Sequence, residues 1–143
     1  MPELIVEADA PGTRLASTWL AKSAMALDVP CRDVDRLDIC LNEILANIIS
    51  HGASGSPRPP IQLFLQVDRD VAGGMATVTV SDQGAVFNAT LAPVRPQATS
   101  LADAEPGGLG LMMVRSFSDE LSYRCSDGRN HLSFGVRWER SDA

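Results

Sequence analysis

The stretch DVDRLDICLNEILANIISHG, from Asp33 to Gly52, decides the fold. Val34, Leu37, Leu41, Ile44 and Ile48 recur at three and four, which predicts one apolar stripe of a helix turned toward a core. Ile39, Cys40, Leu45, Ala46 and Ile49 are apolar too, so little of the circumference is left for water and a central helix is expected. Glu43 and Asn47 share the remaining strip, about 6 Å apart along the axis, with His51 a further turn on. An acid beside Ile39, Cys40, Ala46 and Asn47 loses hydration on folding, a cost usually met by a partner, a metal or chemistry. A solvated strip on a half-exposed helix is the alternative, and the helix alone does not choose.

Upstream, Leu4, Ile5 and Val6 within Glu3–Asp9 suit a strand, and Pro11-Gly12 suits the turn that ends it. Thr13 is then the expected cap of a helix carrying Leu15, Ala16, Trp19, Leu20, Ser23, Ala24 and Leu27, with Pro30 shortly past its end. Downstream, ASGSPRPP forbids regular structure. From Ile61 the period becomes two: Ile61, Leu63, Leu65 and Val67, a turn at Gly73-Gly74, then Ala76, Val78 and Val80 predict a hairpin with one buried face. It ends in Asp82-Gln83-Gly84.

Ala85 to Pro106 follows neither period and is broken by Pro93, Pro96 and Pro106; an unpatterned connection of that length is expected to be a lid or binding loop. Gly107-Gly108-Leu109-Gly110 then leads into a short helix, LMMVRSF. Two further strands are expected, Glu120–Ser126 and the alternation Leu132, Phe134, Val136, Trp138, joined at Asp127-Gly128. With no internal repeat and no linker, the 143 residues are read as one domain, 1–143.

Composition narrows the class of function. Hydrophobic residues are 45% and charged residues 21%, which excludes a disordered chain, and no apolar run is long enough to cross a bilayer. The start, MPELIVEAD, has no basic leader, and a cytoplasmic protein without membrane contact is expected. Cys31, Cys40 and Cys125 lack metal-ligand spacing and are read as reduced thiols, Cys40 in the core. A net charge of −6 provides no field for nucleic acid, so a protein partner or small ligand is favoured. The only lysine, Lys22, follows no glycine loop, which excludes a P-loop and the lysine arrangement of the eukaryotic-type protein kinases. A nucleotide site would have to hold phosphates by backbone amides, a metal or arginine.

D-x-G after a strand also fits a plain turn, and G-G-x-G before a helix also fits a flexible start, so each motif is weak by itself. Their order is stronger. Glu43 with Asn47, then Asp82 with Gly84, a long connection, and Gly108-x-Gly110 at a helix start resemble the N, G1 and G2 boxes of the GHKL (histidine-kinase-like) ATPase superfamily. Within it the chain is most similar to the small anti-sigma-factor serine kinases. ICLNEILANIISHG resembles their N box, EPGGLGLMMVRSFSDELSY their G2 box, and Gly128, Asn130 and Leu132 their final turn and strand. The resemblance runs from about Leu37 to Trp138; Val86 and Asn88 beside Phe87 depart from it.

The resemblance implies the GHKL (Bergerat) ATP-binding fold: an α/β, two-layer α+β sandwich with a mixed, mostly antiparallel sheet and helices on one face. It implies an ATP- and Mg²⁺-dependent protein serine/threonine kinase and anti-sigma factor, whose partners are a sigma factor and a small antagonist protein phosphorylated on serine. Dimerisation is implied by the resemblance alone. An ATP-holding regulator that sequesters its partner without phosphorylating it is the alternative. A histidine-kinase ATPase module fits less well, because the chain has no room for a phosphoacceptor helical dimer.

Residue chemistry is compatible with those roles. Asp82, an acceptor-only carboxylate, can take the exocyclic amine of adenine, and Gly84 lets backbone approach the ring. Asn47 offers a neutral oxygen to Mg²⁺. Gly108, Leu109 and Gly110 would bring phosphates onto the amides of a helix start, replacing the missing lysine. Glu43, one turn before Asn47, is assigned by resemblance as the general base, whereas His51 is read as a capping or packing residue.

Overall fold

The computed structural model describes residues 1–51, 58–83 and 114–140. Alternating apolar residues build the sheet. Ile61, Leu63 and Leu65 of β2 (Ile61–Arg69) and Ala76, Val78 and Val80 of β3 (Gly73–Asp82) are buried on one face, paired antiparallel with Leu63 opposite Val80 and Leu65 opposite Val78. Phe134 and Val136 of β5 (Arg129–Glu139) extend the same layer, opposite Val78 and Ala76. The edges are β1 (Glu3–Val6), against β2, and β4 (Glu120–Ser126), against β5. The order is β1-β2-β3-β5-β4, and every pairing among the described residues is antiparallel, which narrows the expected mixed sheet.

Two helices cover the apolar face. α1 (Ala10–Ala26) packs through Ala16, Leu20 and Ala24 against α2 (Cys31–His51), β1 and β2; α2 packs through Leu37, Cys40, Leu41, Ile44 and Leu45 toward β3 and β5. Burial of that stripe, at roughly 25 cal/mol per Å² of apolar surface, is what holds the helix layer on the sheet. A serine–aspartate hydrogen bond, Ser17 Oγ to Asp38 Oδ1, ties α1 to α2 across their outer edges.

Local details differ from expectation for identifiable reasons. α1 is capped by Asp9, whose Oδ1 accepts from Gly12 N at 2.7 Å, and Pro11-Gly12 lies inside the first turn. Proline tolerates that position because its missing N–H would be unsatisfied there anyway. A Cβ at residue 12 would lie 2.0 Å from the Glu7 carbonyl oxygen, so glycine is required where the chain just past β1 approaches α1. Of the residues at helical spacing in α1, Leu15 is exposed while Ala16, Leu20 and Ala24 are buried. α2 starts at Cys31, two residues before Asp33, with the Pro30 carbonyl accepting from Asp33 N and Val34 N. Ala46 is exposed, so α2 keeps more solvent-facing surface than its composition suggests.

The β2–β3 turn is made by Asp70, Val71 and Ala72, with both glycines already in β3; Asp70 Oδ1 accepts from Ala72 N and Gly73 N. The β4–β5 turn is as expected, Asp127 and Gly128 having φ of 55° and 73°, the left-handed pair that matches hairpin twist.

Candidate functional site

Two anchors fix the direction of α2. Near its start, Arg36 NH1 reaches the Arg137 carbonyl oxygen at 3.4 Å, at the end of β5 that lies beside the β2–β3 turn. Near its end, the Ile49 carbonyl accepts from Arg58 NH1 at 2.8 Å, three residues before β2 begins. Since β2 begins where β3 ends, α2 runs from the hairpin end of the sheet toward the end that carries Asp82. Glu43 and Asn47, in the later half of α2, are thus carried toward Asp82, which stands far away in sequence.

Both residues are half-buried, and among the described residues neither side chain makes a hydrogen bond or ion pair. Their helix is seated by Leu41, Ile44 and Leu45, so the backbone that carries the carboxylate and the amide is held on the core. The Glu43 charge is felt one turn away. Burial pushes the Cys40 thiol up to about 11, with Arg36 opposing and Glu43 adding to the rise. Cys40 is therefore a packed thiol, its Sγ 3.9 Å from the Val114 carbonyl oxygen.

Asp82 closes β3 and is 8% exposed. By strand alternation it shares the helix-facing side with Val78 and Val80. Its cross-strand neighbour is Asn130, 7% exposed, whose Oδ1 accepts from the Tyr123 hydroxyl at 2.5 Å. Ser81, on the other face, is fully buried beneath Arg129, which donates from Nε to Ser81 Oγ at 2.9 Å and from NH2 to the Ser81 carbonyl at 3.2 Å.

A second polar cluster, with no counterpart in the sequence reading, surrounds Arg36. Its guanidinium donates to Asp33 Oδ1 at 3.0 Å, Asp119 Oδ2 at 3.0 Å and the Phe117 carbonyl at 3.1 Å. Asp33 is wholly buried, and among the described residues its Oδ2 has no hydrogen-bond partner. Asp119 Oδ2 also accepts from Arg137 N at 2.6 Å. Burial alone would raise the Asp119 pKa, but the Arg137 N–H and the Arg36 guanidinium outweigh it and hold the carboxyl below its ordinary value.

The cluster and the Cys40 contact press a helical turn, residues 114–117, against α2. Phe117 meets Arg36 and Val114 meets Cys40, so this turn runs antiparallel to α2, its first residue nearest the Glu43 end. The pairing could have been suspected only from the i, i+3 spacing of Asp33 and Arg36; nothing local indicated Asp119.

Of the residues singled out from sequence, Glu43, Asn47 and Asp82 have described positions. Gly84, Gly108, Leu109, Gly110 and the connection Ala85–Pro106 lie outside the described residues, as does the His51 side chain. Among the described residues no three His, Cys, Asp or Glu gather as a metal cage, and no helix is long and apolar enough to cross a membrane.

Comparison with known proteins agrees with this architecture. The chain is 41% identical over 116 residues to the serine/threonine-protein kinase BtrW of Bordetella bronchiseptica, covering 80% of this chain and 78% of that one. It is 22% identical over 142 residues to the anti-sigma F factor of Thermoanaerobacter sp. strain X514, covering 99% and 96%. Its fold matches the crystal structure of the RsbU and RsbW domains of Rv1364c from Mycobacterium tuberculosis with a TM-score of 0.65 at 16% identity. The match takes in 99% of this chain and 34% of that longer one. The family model for the histidine kinase-like ATPase domain matches residues 6–136, nearly the whole of the sheet and both helices, and the chain belongs to that family.

Proposed function

We propose that the chain is a single-domain, ATP-dependent protein serine kinase that also acts as an anti-sigma factor in the cytoplasm, phosphorylating a small antagonist protein and sequestering a sigma factor. The observation that carries this reading is that Glu43 and Asn47, which make no hydrogen bond or ion pair among the described residues, lie on a well-seated helix that runs toward the end of the sheet carrying the buried Asp82. The names of the relatives, a serine/threonine-protein kinase and an anti-sigma F factor, support the same class.

The residues present fit ATP and Mg²⁺. Asp82 keeps an acceptor-only carboxylate in a water-poor position, the chemistry needed to select an exocyclic amine. Asn47 would supply one neutral oxygen to Mg²⁺, an ion that keeps waters and phosphate oxygens as its other ligands. Gly84, Gly108, Leu109 and Gly110 would allow backbone to approach the nucleotide. When bound, ATP with Mg²⁺ supplies a transferable phosphoryl group. Glu43 then acts as the general base, accepting the proton of the attacking serine hydroxyl, from a helix seated on its apolar face.

The second reading, sequestration without phosphate transfer, needs nucleotide binding and no base; the half-buried Glu43 carboxylate, which has no hydrogen bond or ion pair among the described residues, favours the kinase. Labelled ATP, Mg²⁺ and candidate antagonist proteins from the same genome test the choice. Phosphoserine on one antagonist is the expected outcome. Binding of ATP and partner with no transfer to any candidate would establish the sequestering reading instead.

A further inference from the structure

We propose that Arg129 is a positioning residue for base recognition, bracing the end of β3 so that Asp82 holds one orientation; this rests on the nucleotide-site reading above. Asp82 sits at a weak point of the sheet. β2 pairs with β3 only as far as Ser81, opposite Gln62, so Asp82 is held by the ladder on the β5 side alone, opposite Asn130. A strand end with one neighbour opens more readily than the strand interior. The peptide joining Ser81 to Asp82 sets the backbone from which the Asp82 side chain is presented.

Arg129 braces that end of the strand. Its two donors hold both the Ser81 hydroxyl and the Ser81 carbonyl, adding to the pairing of Ser81 with Gln62 and His131 at the last β3 residue that has a neighbour on both sides. The fork is suited to the task because two parallel donors define direction as well as distance. Its own position is set by the rigid Asp127-Gly128 turn and by pairing with Ser126 across the hairpin. Among the described residues the guanidinium bonds nothing besides Ser81. Ser81 and Asp82 point to opposite faces, so Arg129 acts from the side of the sheet away from the helices and does not share the space that Asp82 faces. It is therefore a residue that acts through Asp82.

The test uses a fluorescent ATP analogue with Mg²⁺ on the full chain, displaced by ATP and by GTP. Arg129→Met is expected to lower ATP affinity about five- to tenfold and to erode the preference for ATP over GTP by a similar factor, with Arg129→Lys intermediate. In the Asp82→Asn background the same substitution should cost less than about twofold, because its route of action is already lost. Full additivity of the two substitutions, unchanged ATP affinity, or equal weakening of ATP and GTP would each overturn the proposal. If Arg129→Met does not fold, Ser81→Ala must give the same loss of selectivity at smaller size, and intact selectivity there would overturn it too. A native protein that binds no ATP removes the nucleotide reading itself, a result seen before any variant is made.

Discussion

Asp33 and Glu43 are carboxylates on the same helix, about three turns apart, and the protein treats them in opposite ways. Asp33 is fully buried and bound to Arg36, which also grips Asp119 and the Phe117 carbonyl; this end of α2 fastens the turn 114–117 to the helix. Glu43 is half-buried, with no hydrogen bond or ion pair among the described residues. A committed carboxylate is part of the scaffold, and losing its partner costs stability. An uncommitted one on a rigid bed contributes little to folding and is free to act on a ligand. Polar residues on a buried helix are thus distinguished by whether their partners come from within the chain.

Glu43→Gln breaks this contrast most directly if it is wrong. Transfer of phosphate to an antagonist serine should fall by about 10²- to 10⁴-fold, while ATP binding and thermal stability stay near native. Asn47→Ala should instead lose Mg²⁺-dependent ATP binding. Native transfer rates in the Gln variant would show that Glu43 is not the base.

Arg36→Met probes the other end. It strands the buried Asp33 carboxylate, and unfolding in urea should show a loss of about 3 kcal/mol, the low end for breaking a buried pair because Arg36 retains some exposure. A midpoint unchanged from native would mean that Asp33 finds another partner and that the cluster is not a fastening.

Asp82→Asn comes next in size. It replaces a charged acceptor by a partial donor, and ATP affinity measured by calorimetry should drop about tenfold to a hundredfold, corresponding to a bond of roughly 1.5 to 3 kcal/mol. Equal affinity of the native protein for ATP and GTP would remove Asp82 from base recognition.

The smallest expected effect concerns pH. The folded pKa of Asp119 lies below its unfolded value, so its contribution is present above the unfolded pKa and is lost as pH falls through the folded one, a window below about pH 4. The carboxylate is more than one-third exposed, so solvent screens much of it. Urea midpoints of Asp119→Asn should therefore converge on native values in that acid window and lie slightly below them at pH 7. A gap of the same size at both ends would show that the charge of Asp119 contributes nothing.

Much of the layer structure was legible because it is periodic. The three-and-four spacing of Val34 to Ile48 predicted the buried stripe of α2, and the alternation from Ile61 to Val80 predicted the β2–β3 face. The spacing in α1 did not tell Leu15, which is exposed, from Ala16 and Ala24, which flank Leu20 in a narrow buried strip, because apolar character alone does not distinguish that strip from its neighbour. Thr13 and Asp9 are both competent caps, and it is Asp9 whose side chain accepts from Gly12 N. Of the candidate site, residue types and order were visible in Glu43, Asn47 and Asp82. Their supports were not, since Ser81 and Arg129 carry no motif.

The sequence by itself determined the elements, the turn at Asp127-Gly128 and the identity of the polar residues spared from the core. These depend on neighbours a few positions apart, where spacing and backbone preference act directly. Only the tertiary structure decided which polar residues are committed. Arg129 meets Ser81 across 48 residues, Arg36 meets Asp119 across 83 and the Arg137 carbonyl across 101. Bonds at such separations follow from the packing of whole elements, and packing determines whether a charge is neutralised within the fold or left for a ligand.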